Sequence, residues 1–182
     1  MGKTFQSISP ELRAWIAGQK IFFVSTAPLS ATGHVNCSPK GGDTFRVLGE
    51  REVAYADLTG SGIETAAHLQ ENGRIVVMFC AFEGGPKIVR FHGRGEVIYP
   101  NDPRFALLAL QFPAQMGLRS IIRIEVSRIS DSCGYAVPYY DFVCERDALD
   151  HWAEKKGDEG LALYRAEKNQ QSIDGLAGYR PR

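Results

Sequence analysis

The residues with the clearest chemical potential lie in the segment 54–65, Ala-Tyr-Ala-Asp-Leu-Thr-Gly-Ser-Gly-Ile-Glu-Thr. A predicted strand ends in this segment, a Gly/Ser/Thr loop follows, and a short helix is predicted from Ser61 to Glu71. Such a junction directs backbone N–H groups and hydroxyls toward one point, where the helix N-terminus adds roughly half a positive charge. We therefore expect the loop to bind an anion, most simply a phosphate. The alternative is an ordinary helix N-cap with turn glycines, and the pattern alone does not decide between them.

A second turn compatible with phosphate, Ser38-Pro39-Lys40-Gly41-Gly42, ends the preceding apolar strand. Lys40 places a cation beside a glycine pair, which lets the chain bend closely past a ligand. The two turns bracket one hairpin and so indicate a phosphorylated cofactor lying across a small β-structure. A solvated turn lysine is the alternative for Lys40. Arg46, on the next predicted strand, is either an ion partner for a phosphate or an interface, or simply an exposed strand residue.

Composition excludes several classes of function. The chain has 182 residues, of which 44% are hydrophobic and 23% charged, as in ordinary globular proteins that bury a core. Lys+Arg and Asp+Glu both number 21, so no overall basic field attracts nucleic acid or an anionic membrane. We find no membrane-length apolar run and no apolar signal-peptide core at the N-terminus, and therefore expect a cytoplasmic protein.

Metal-dependent and hydrolytic chemistry also lack support in the sequence. The four cysteines show no CxxC or metal-type spacing and fit buried or half-buried thiols in a reducing compartment. The four histidines show no metal-ligand spacing, and there is no HExxH or Ser/His/Asp pattern. We therefore expect no metal.

The chain is rich in strand patterns and poor in helices. Seven strands are predicted, at 21–26, 34–38, 45–48, 52–56, 74–80, 88–98 and 119–128. The continuous apolar run at 74–80 indicates a central strand. Helices are predicted after Ser9-Pro10, at 61–71 and 104–112, and in a charged C-terminal pair at 145–156 and 160–168. This balance predicts a mainly β fold, a β-barrel with flanking helices, rather than a parallel sheet.

The order and residues of several pieces together resemble the pyridoxamine 5′-phosphate oxidase-like family of FMN-binding split β-barrels. The pieces that carry the resemblance are Ile21–Thr26, Val35–Asp43, Phe45–Leu48, Leu58–Thr65, His68–Arg74 and Arg90–Gly95. The rest of the chain, including Ser132-Cys133-Gly134-Tyr135, is similar to a poorly characterised subgroup. We therefore expect an FMN-binding split-barrel domain at 1–130, and at 131–182 an aromatic loop and helical C-terminal extension of the same domain.

The resemblance implies a homodimer with FMN at the subunit interface. Residues 38–40 would border the flavin ring, 57–59 its pyrimidine edge and ribityl chain, and the 59–65 loop its phosphate. Residues 133–135 would close over the flavin from the partner subunit. The expected cofactor contacts are Ser38, Pro39, Lys40, Arg46, Asp57, Leu58, Thr59, Gly60, Ser61, Thr65, Cys133, Gly134 and Tyr135.

The chain also departs from the vitamin-processing oxidases of that family. Gly60-Ser61-Gly62 replaces their Arg-Lys pair, and their C-terminal substrate-binding strand has no match here. We therefore expect an FMN-dependent oxidoreductase acting on another, unidentified small molecule, with Lys40 or Arg46 as the cation for the phosphate. No catalytic acid or base is assigned, since the flavin itself carries the reacting atom. The alternative is a non-catalytic protein that binds or carries flavin, haem or a deazaflavin.

Overall fold

The computed structural model describes residues 2–180, so the predicted boundaries at residues 1 and 182 lie outside the described residues. The strands are β1 (Thr4–Phe5), β2 (Phe22–Thr26), β3 (Asn36–Lys40), β4 (Phe45–Gly49), β5 (Glu52–Leu58), β6 (Arg74–Cys80), β7 (Ile88–Ile98) and β8 (Leu118–Ser132). The helices are α1 (Pro10–Ala17), α2 (Glu64–Asn72), α3 (Phe105–Ala109) and α4 (Ala148–Lys168). No helix within residues 2–180 combines the length and apolarity needed to cross a membrane.

The strands form one antiparallel sheet in the order β3-β2-β6-β7-β8-β5-β4, with β1 added beside β8. Side chains from strands that lie far apart in this order meet in the interior, which shows that the sheet curls strongly. The ring of Phe22 on β2 lies 5.1 Å from that of Phe45 on β4 and 5.7 Å from that of Tyr55 on β5. The prediction of a mainly β barrel with flanking helices is therefore confirmed. The structure adds the two-residue β1, which is too short to leave a sequence pattern.

One face of each inner strand supplies the core. Ile75, Val77 and Phe79 of β6 are buried, whereas Val76 and Met78 on the opposite face are only half-buried. The strand lies within the sheet, between β2 and β7, as its apolar run predicts. The middle position in the sheet is occupied by β7, however. The apolar run of β6 therefore corresponds to one buried and one half-buried face, rather than to burial on both faces.

The helices begin and end at residues with the expected chemistry. Ser9 caps α1 by accepting a hydrogen bond from the N–H of Leu12, and Gly73 ends α2 in the left-handed conformation at φ 70°. The predicted C-terminal helix pair is present as α4, which is interrupted at Gly157 (φ 61°, ψ 178°). Trp152 and Tyr164, one on each side of this break, pack edge to face with ring centroids 5.0 Å apart.

Candidate functional site

A cleft of about 1260 Å³ opens where β3 and β5 end. This volume exceeds the ~300–1,000 Å³ of ordinary small-molecule sites. Five of the residues predicted to contact the cofactor line it, namely Pro39, Lys40, Leu58, Thr59 and Gly60. The structure thus brings the two predicted phosphate-compatible turns to one cavity.

Buried side chains hold the 58–62 loop by its carbonyl groups. The Nδ2 of Asn169, a fully buried residue just after α4, donates to the carbonyl oxygens of Gly60 (2.9 Å) and Ser61 (3.3 Å). Arg119 Nη1 donates to the carbonyl of Gly62 at 3.1 Å and to Asn169 Oδ1 at 2.8 Å. The orientation of the Asn169 amide is therefore fixed on both sides, because its oxygen meets a donor and its nitrogen meets acceptors.

Capture of these carbonyls determines where the loop N–H groups point. In a trans peptide the C=O and the following N–H lie on opposite sides of the bond. Inward carbonyls at residues 60–62 therefore direct the N–H groups of Ser61, Gly62 and Ile63 away from Asn169 and Arg119. Within residues 2–180 none of these three N–H groups donates to a protein acceptor. The same capture explains why α2 begins at Glu64 rather than at the predicted Ser61.

An ion pair lies beneath the loop. Arg119 and Asp57 meet through two contacts, Nε–Oδ2 at 2.9 Å and Nη2–Oδ1 at 3.2 Å, and their side chains are only 5% and 4% exposed. Ser120 Oγ also donates to Asp57, and Lys40 Nζ lies 3.7 Å from its Oδ1. Burial alone would raise the pKa of Asp57, but Arg119 and Lys40 outweigh it and lower the pKa below its usual value.

Thr59 belongs to the same buried network. Its backbone N–H and its hydroxyl both donate to the carbonyl of Gly117, at 2.7 and 2.8 Å. Arg165 Nε on α4 donates to the hydroxyl oxygen at 2.9 Å. The Thr59 side chain therefore faces the protein interior, and its role in the loop is to fix the backbone.

Two further predicted residues meet beside the cleft through a residue that the sequence analysis did not assign. Thr65 and Ser38 are both half-buried and both contact the side-chain amide of Asn36 on β3. Asn36, Ser38 and Lys40 alternate along β3 and therefore share one face of the strand. Lys40 Nζ lies 5.9 Å from the ring centroid of the fully buried Tyr55.

The remaining predicted residues lie apart from this group in the single chain. Arg46 is engaged by both carboxylate oxygens of Asp43 and by the carbonyl of Gln111, and it lies over the ring of Phe112. Gly134 packs against Lys87, while the neighbouring Cys133 and Tyr135 are exposed. Ser61 is exposed on the loop.

The opposite wall of the cleft is formed by the 139–146 segment, an irregular and exposed stretch of the same chain, most of whose residues line the cleft. The N–H of Tyr140 donates to the carbonyl of Phe82 at 3.1 Å, and the N–H of Phe142 to Glu83 Oε1 at 3.3 Å. Lys20 Nζ lies 5.2 Å from the ring centroid of Phe142. Aromatic side chains and charges of both signs thus line this wall.

Sequence reasoning missed Arg119, Arg165, Asn169 and Asn36. The first three contact the 57–62 segment across 50 or more residues of chain, and no local motif marks such pairs. One signal was available for Arg119, because it stands at the start of the predicted strand 119–128, where an arginine that becomes buried needs a carboxylate partner.

One buried polar atom at the cleft has no protein partner within residues 2–180. Gln115, which lines the cleft, leaves its Oε1 without a donor. Buried polar atoms are nearly always hydrogen-bonded. With the N–H groups of the loop and the Lys40 cation, this oxygen forms a donor and acceptor set that suits a polar, anionic ligand.

Comparisons with known proteins agree with this architecture. The pyridoxamine 5′-phosphate oxidase family model matches residues 8–133. The pyridoxamine 5′-phosphate oxidase family protein ustO of Aspergillus flavus is 39% identical over 191 aligned residues, which cover 96% of this chain and 76% of the relative.

Two solved structures share the fold at low sequence identity. HupZ of Group A Streptococcus is 22% identical with a TM-score of 0.52, covering 67% of this chain and 91% of that one. An FAD-binding protein of Mesorhizobium loti is 14% identical with a TM-score of 0.50, covering 72% and 96%. The split-barrel architecture and the extent of the family match place the chain in one group: it belongs to the pyridoxamine 5′-phosphate oxidase family.

Proposed function

We propose that the cleft binds FMN and that the protein is an FMN-dependent oxidoreductase acting on a small molecule. The observation that carries the proposal is the capture of the carbonyls of residues 60–62 by Asn169 and Arg119. It leaves three consecutive N–H groups, directed away from Asn169 and Arg119 and without a protein acceptor within residues 2–180, just before α2, an arrangement that suits a phosphate. When bound, a flavin supplies hydride or electron transfer at its ring.

The charges around the cleft suit a phosphorylated ligand in part. Asp57 neutralises Arg119, so the phosphate would be held chiefly by backbone dipoles and hydroxyls rather than by a free arginine. Of the two residues predicted to supply a cation for the phosphate, Lys40 lines the cleft, and a quarter of its side chain is exposed. Glu64, in the first turn of α2, accepts a hydrogen bond from the N–H of Ile173.

Lys40 has the position to tune a bound flavin. It reaches Asp57 at 3.7 Å and lines the cleft beside Pro39. A cation near the pyrimidine edge of the ring would stabilise the anionic reduced form over the neutral oxidised form. The partial neutralisation by Asp57 limits this effect and holds the ammonium group in place.

We further propose a homodimer with the flavin at the subunit interface. Several large apolar side chains are exposed in the single chain, as expected for a surface that a partner covers. They include Leu107, Leu110, Met116, Tyr135, Tyr139 and Val143. Sedimentation should give twice the 20.1 kDa mass of the chain. A monomer that retains FMN would contradict the shared site.

The flavin proposal is tested by the absorption spectrum of the purified protein and by titration with FMN and riboflavin. Riboflavin lacks the phosphate, so FMN should bind at least about tenfold more tightly, since hydrogen bonds to charged groups contribute ~1.5–3 kcal/mol each. Equal affinities would refute the phosphate assignment, and no binding of either ligand would refute the flavin site. A haem spectrum would instead support the carrier alternative. Turnover of NADH or NADPH with a panel of acceptors then separates an enzyme from a carrier.

A further inference from the structure

Asn36 lies among three hydroxyl groups at the edge of the proposed flavin site. Its Nδ2 lies 3.0 Å from Thr65 Oγ1 and 3.4 Å from Thr26 Oγ1. Its Oδ1 accepts a hydrogen bond from Ser38 Oγ at 3.0 Å. Thr26 is buried, and its hydroxyl lies 2.9 Å from Nδ1 of the fully buried His68, so this neighbour is anchored in the core.

The two ends of the Asn36 amide act differently on the two half-buried hydroxyls of Thr65 and Ser38. Each hydroxyl has one proton to donate and two lone pairs to accept with. Thr65 accepts from Asn36, and the protonated hydroxyl of Tyr55 beside it can donate to its second lone pair, so the proton of Thr65 itself remains available to a ligand. Ser38 gives its proton to Asn36, so it offers a ligand only lone pairs. One side chain thus makes Thr65 a donor and Ser38 an acceptor.

We propose that Asn36 is the positioning residue that sets this hydrogen-bond polarity for the ligand. Thr65, at the start of α2, would donate to the phosphate, and Ser38, next to Pro39 and Lys40 on β3, would accept from an N–H group of the ring. The inference rests on the proposed flavin site. It adds a residue that contacts no ligand itself and acts through its two neighbours.

The experiment is a double-mutant cycle with two ligands. In Asn36→Leu the preference for FMN over riboflavin should fall about three- to tenfold, because Thr65 loses the donor that orients its proton toward an anion. In a Thr65→Val background the same substitution should leave that preference unchanged. Asn72→Leu is the matched control, since it removes an amide whose Nδ2 donates to the carbonyl of Ala27 instead. It should not alter the preference.

A measurement without ligand tests the orientation of the amide directly. The side-chain ¹H–¹⁵N signals of Asn36 should shift strongly in Thr65→Val, because one amide proton loses its acceptor, and less in Ser38→Ala. The reverse order would overturn the assigned polarity. So would equal losses of FMN and riboflavin affinity in Asn36→Leu, or an undiminished loss in the Thr65→Val background. A wild-type protein that binds neither ligand would refute the proposed function and this inference with it, whereas failure of the cycle in a protein that prefers FMN refutes only the inference.

Discussion

The two walls of the cleft are held in contrasting ways. The 58–62 loop is fixed by buried polar side chains, with Thr59, Asn169 and Arg119 each nearly or fully buried. The 139–146 segment is exposed along its whole length and contacts the 82–83 stretch through two backbone N–H groups. One wall is thus preorganised and the other adaptable. A preorganised wall suits a resident cofactor, and an adaptable wall suits a substrate that enters and leaves.

The largest effect is expected from breaking the ion pair beneath the loop. Arg119→Met would leave Asp57 buried without its main partner, which costs ~3–5 kcal/mol in comparable pairs. Urea unfolding measures the loss. Lys168→Met is the control, because Lys168 and its partner Glu167 are 50% and 68% exposed and such surface pairs contribute little to stability. Equal losses in the two variants would show that the loop is no more firmly held than the surface.

The same pair predicts how the Arg119→Met effect depends on pH. The pKa of Asp57 is lowered in the folded protein, so the pair stabilises the fold above the unfolded value of about 3.9 and is lost as the pH falls through the lowered pKa. Without Arg119, burial favours the neutral acid and raises this pKa. The difference in unfolding free energy between wild type and Arg119→Met should therefore shrink from pH 7 to pH 4. A difference in unfolding free energy that stays constant with pH would show that Arg119 stabilises the fold through contacts other than the one with Asp57.

Asn169→Ala tests the preorganised wall at its carbonyl anchors. Two loop carbonyls and Arg119 Nη1 would each lose a partner, at ~1–3 kcal/mol for each group that stays buried. The preference for FMN over riboflavin should also fall, because the loop N–H groups lose their fixed direction. Gln70→Ala is the control, since its amide ties the same C-terminal tail at Ala177 and Gly178 without touching the loop. If Gln70→Ala also lowered the preference for FMN over riboflavin, the effect of Asn169→Ala would be due to the C-terminal tail as a whole and not to the loop carbonyls.

Lys40→Met tests whether the preorganised side also tunes a bound flavin. The substitution keeps an apolar stem and removes the charge, so FMN affinity should change modestly. The midpoint potential should drop by about 20 mV for each ~1 kcal/mol of lost interaction in the two-electron couple. A spectroscopic redox titration at one pH measures this. An unchanged potential with flavin bound in both proteins would make Lys40 an ordinary solvated residue paired with Asp57.

The contrast between the walls also explains what the sequence could predict. The strands followed from local alternation and turn residues, and β6 and β7 occupy the predicted residues. The loop followed from the Gly/Ser/Thr pattern before α2. The residues that hold the loop could not be predicted in this way, because Asn169 contacts the loop from 108–109 residues away and a single asparagine carries no periodic signal. The expected cation near the loop was Lys40 or Arg46. The structure places Lys40 in the cleft and engages Arg46 with Asp43 and Gln111. It brings Arg119 and Arg165 to the loop.

The smallest effect on stability is expected on the adaptable wall. Phe142 is 43% exposed and its ring contacts the Lys20 ammonium, an interaction of about 0.5–1 kcal/mol at exposed sites. Phe142→Ala should therefore change the unfolding free energy by less than ~1 kcal/mol. Phe79→Ala is the control, because Phe79 is 1% exposed in the core and such truncations cost about 3–5 kcal/mol.

The effect of Phe142→Ala should appear instead in the mobility of the 139–146 segment. Proteinase K has broad sequence specificity and can therefore cut either wall, and this segment exposes Tyr139, Tyr140 and Phe142. Wild type should be cut there first, and loss of the Phe142 contact should speed cleavage after Tyr139 and Tyr140 while the barrel stays intact. Cleavage of the 58–62 loop before this segment, or a stability loss in Phe142→Ala as large as that of Phe79→Ala, would reverse the assignment of the rigid and adaptable walls.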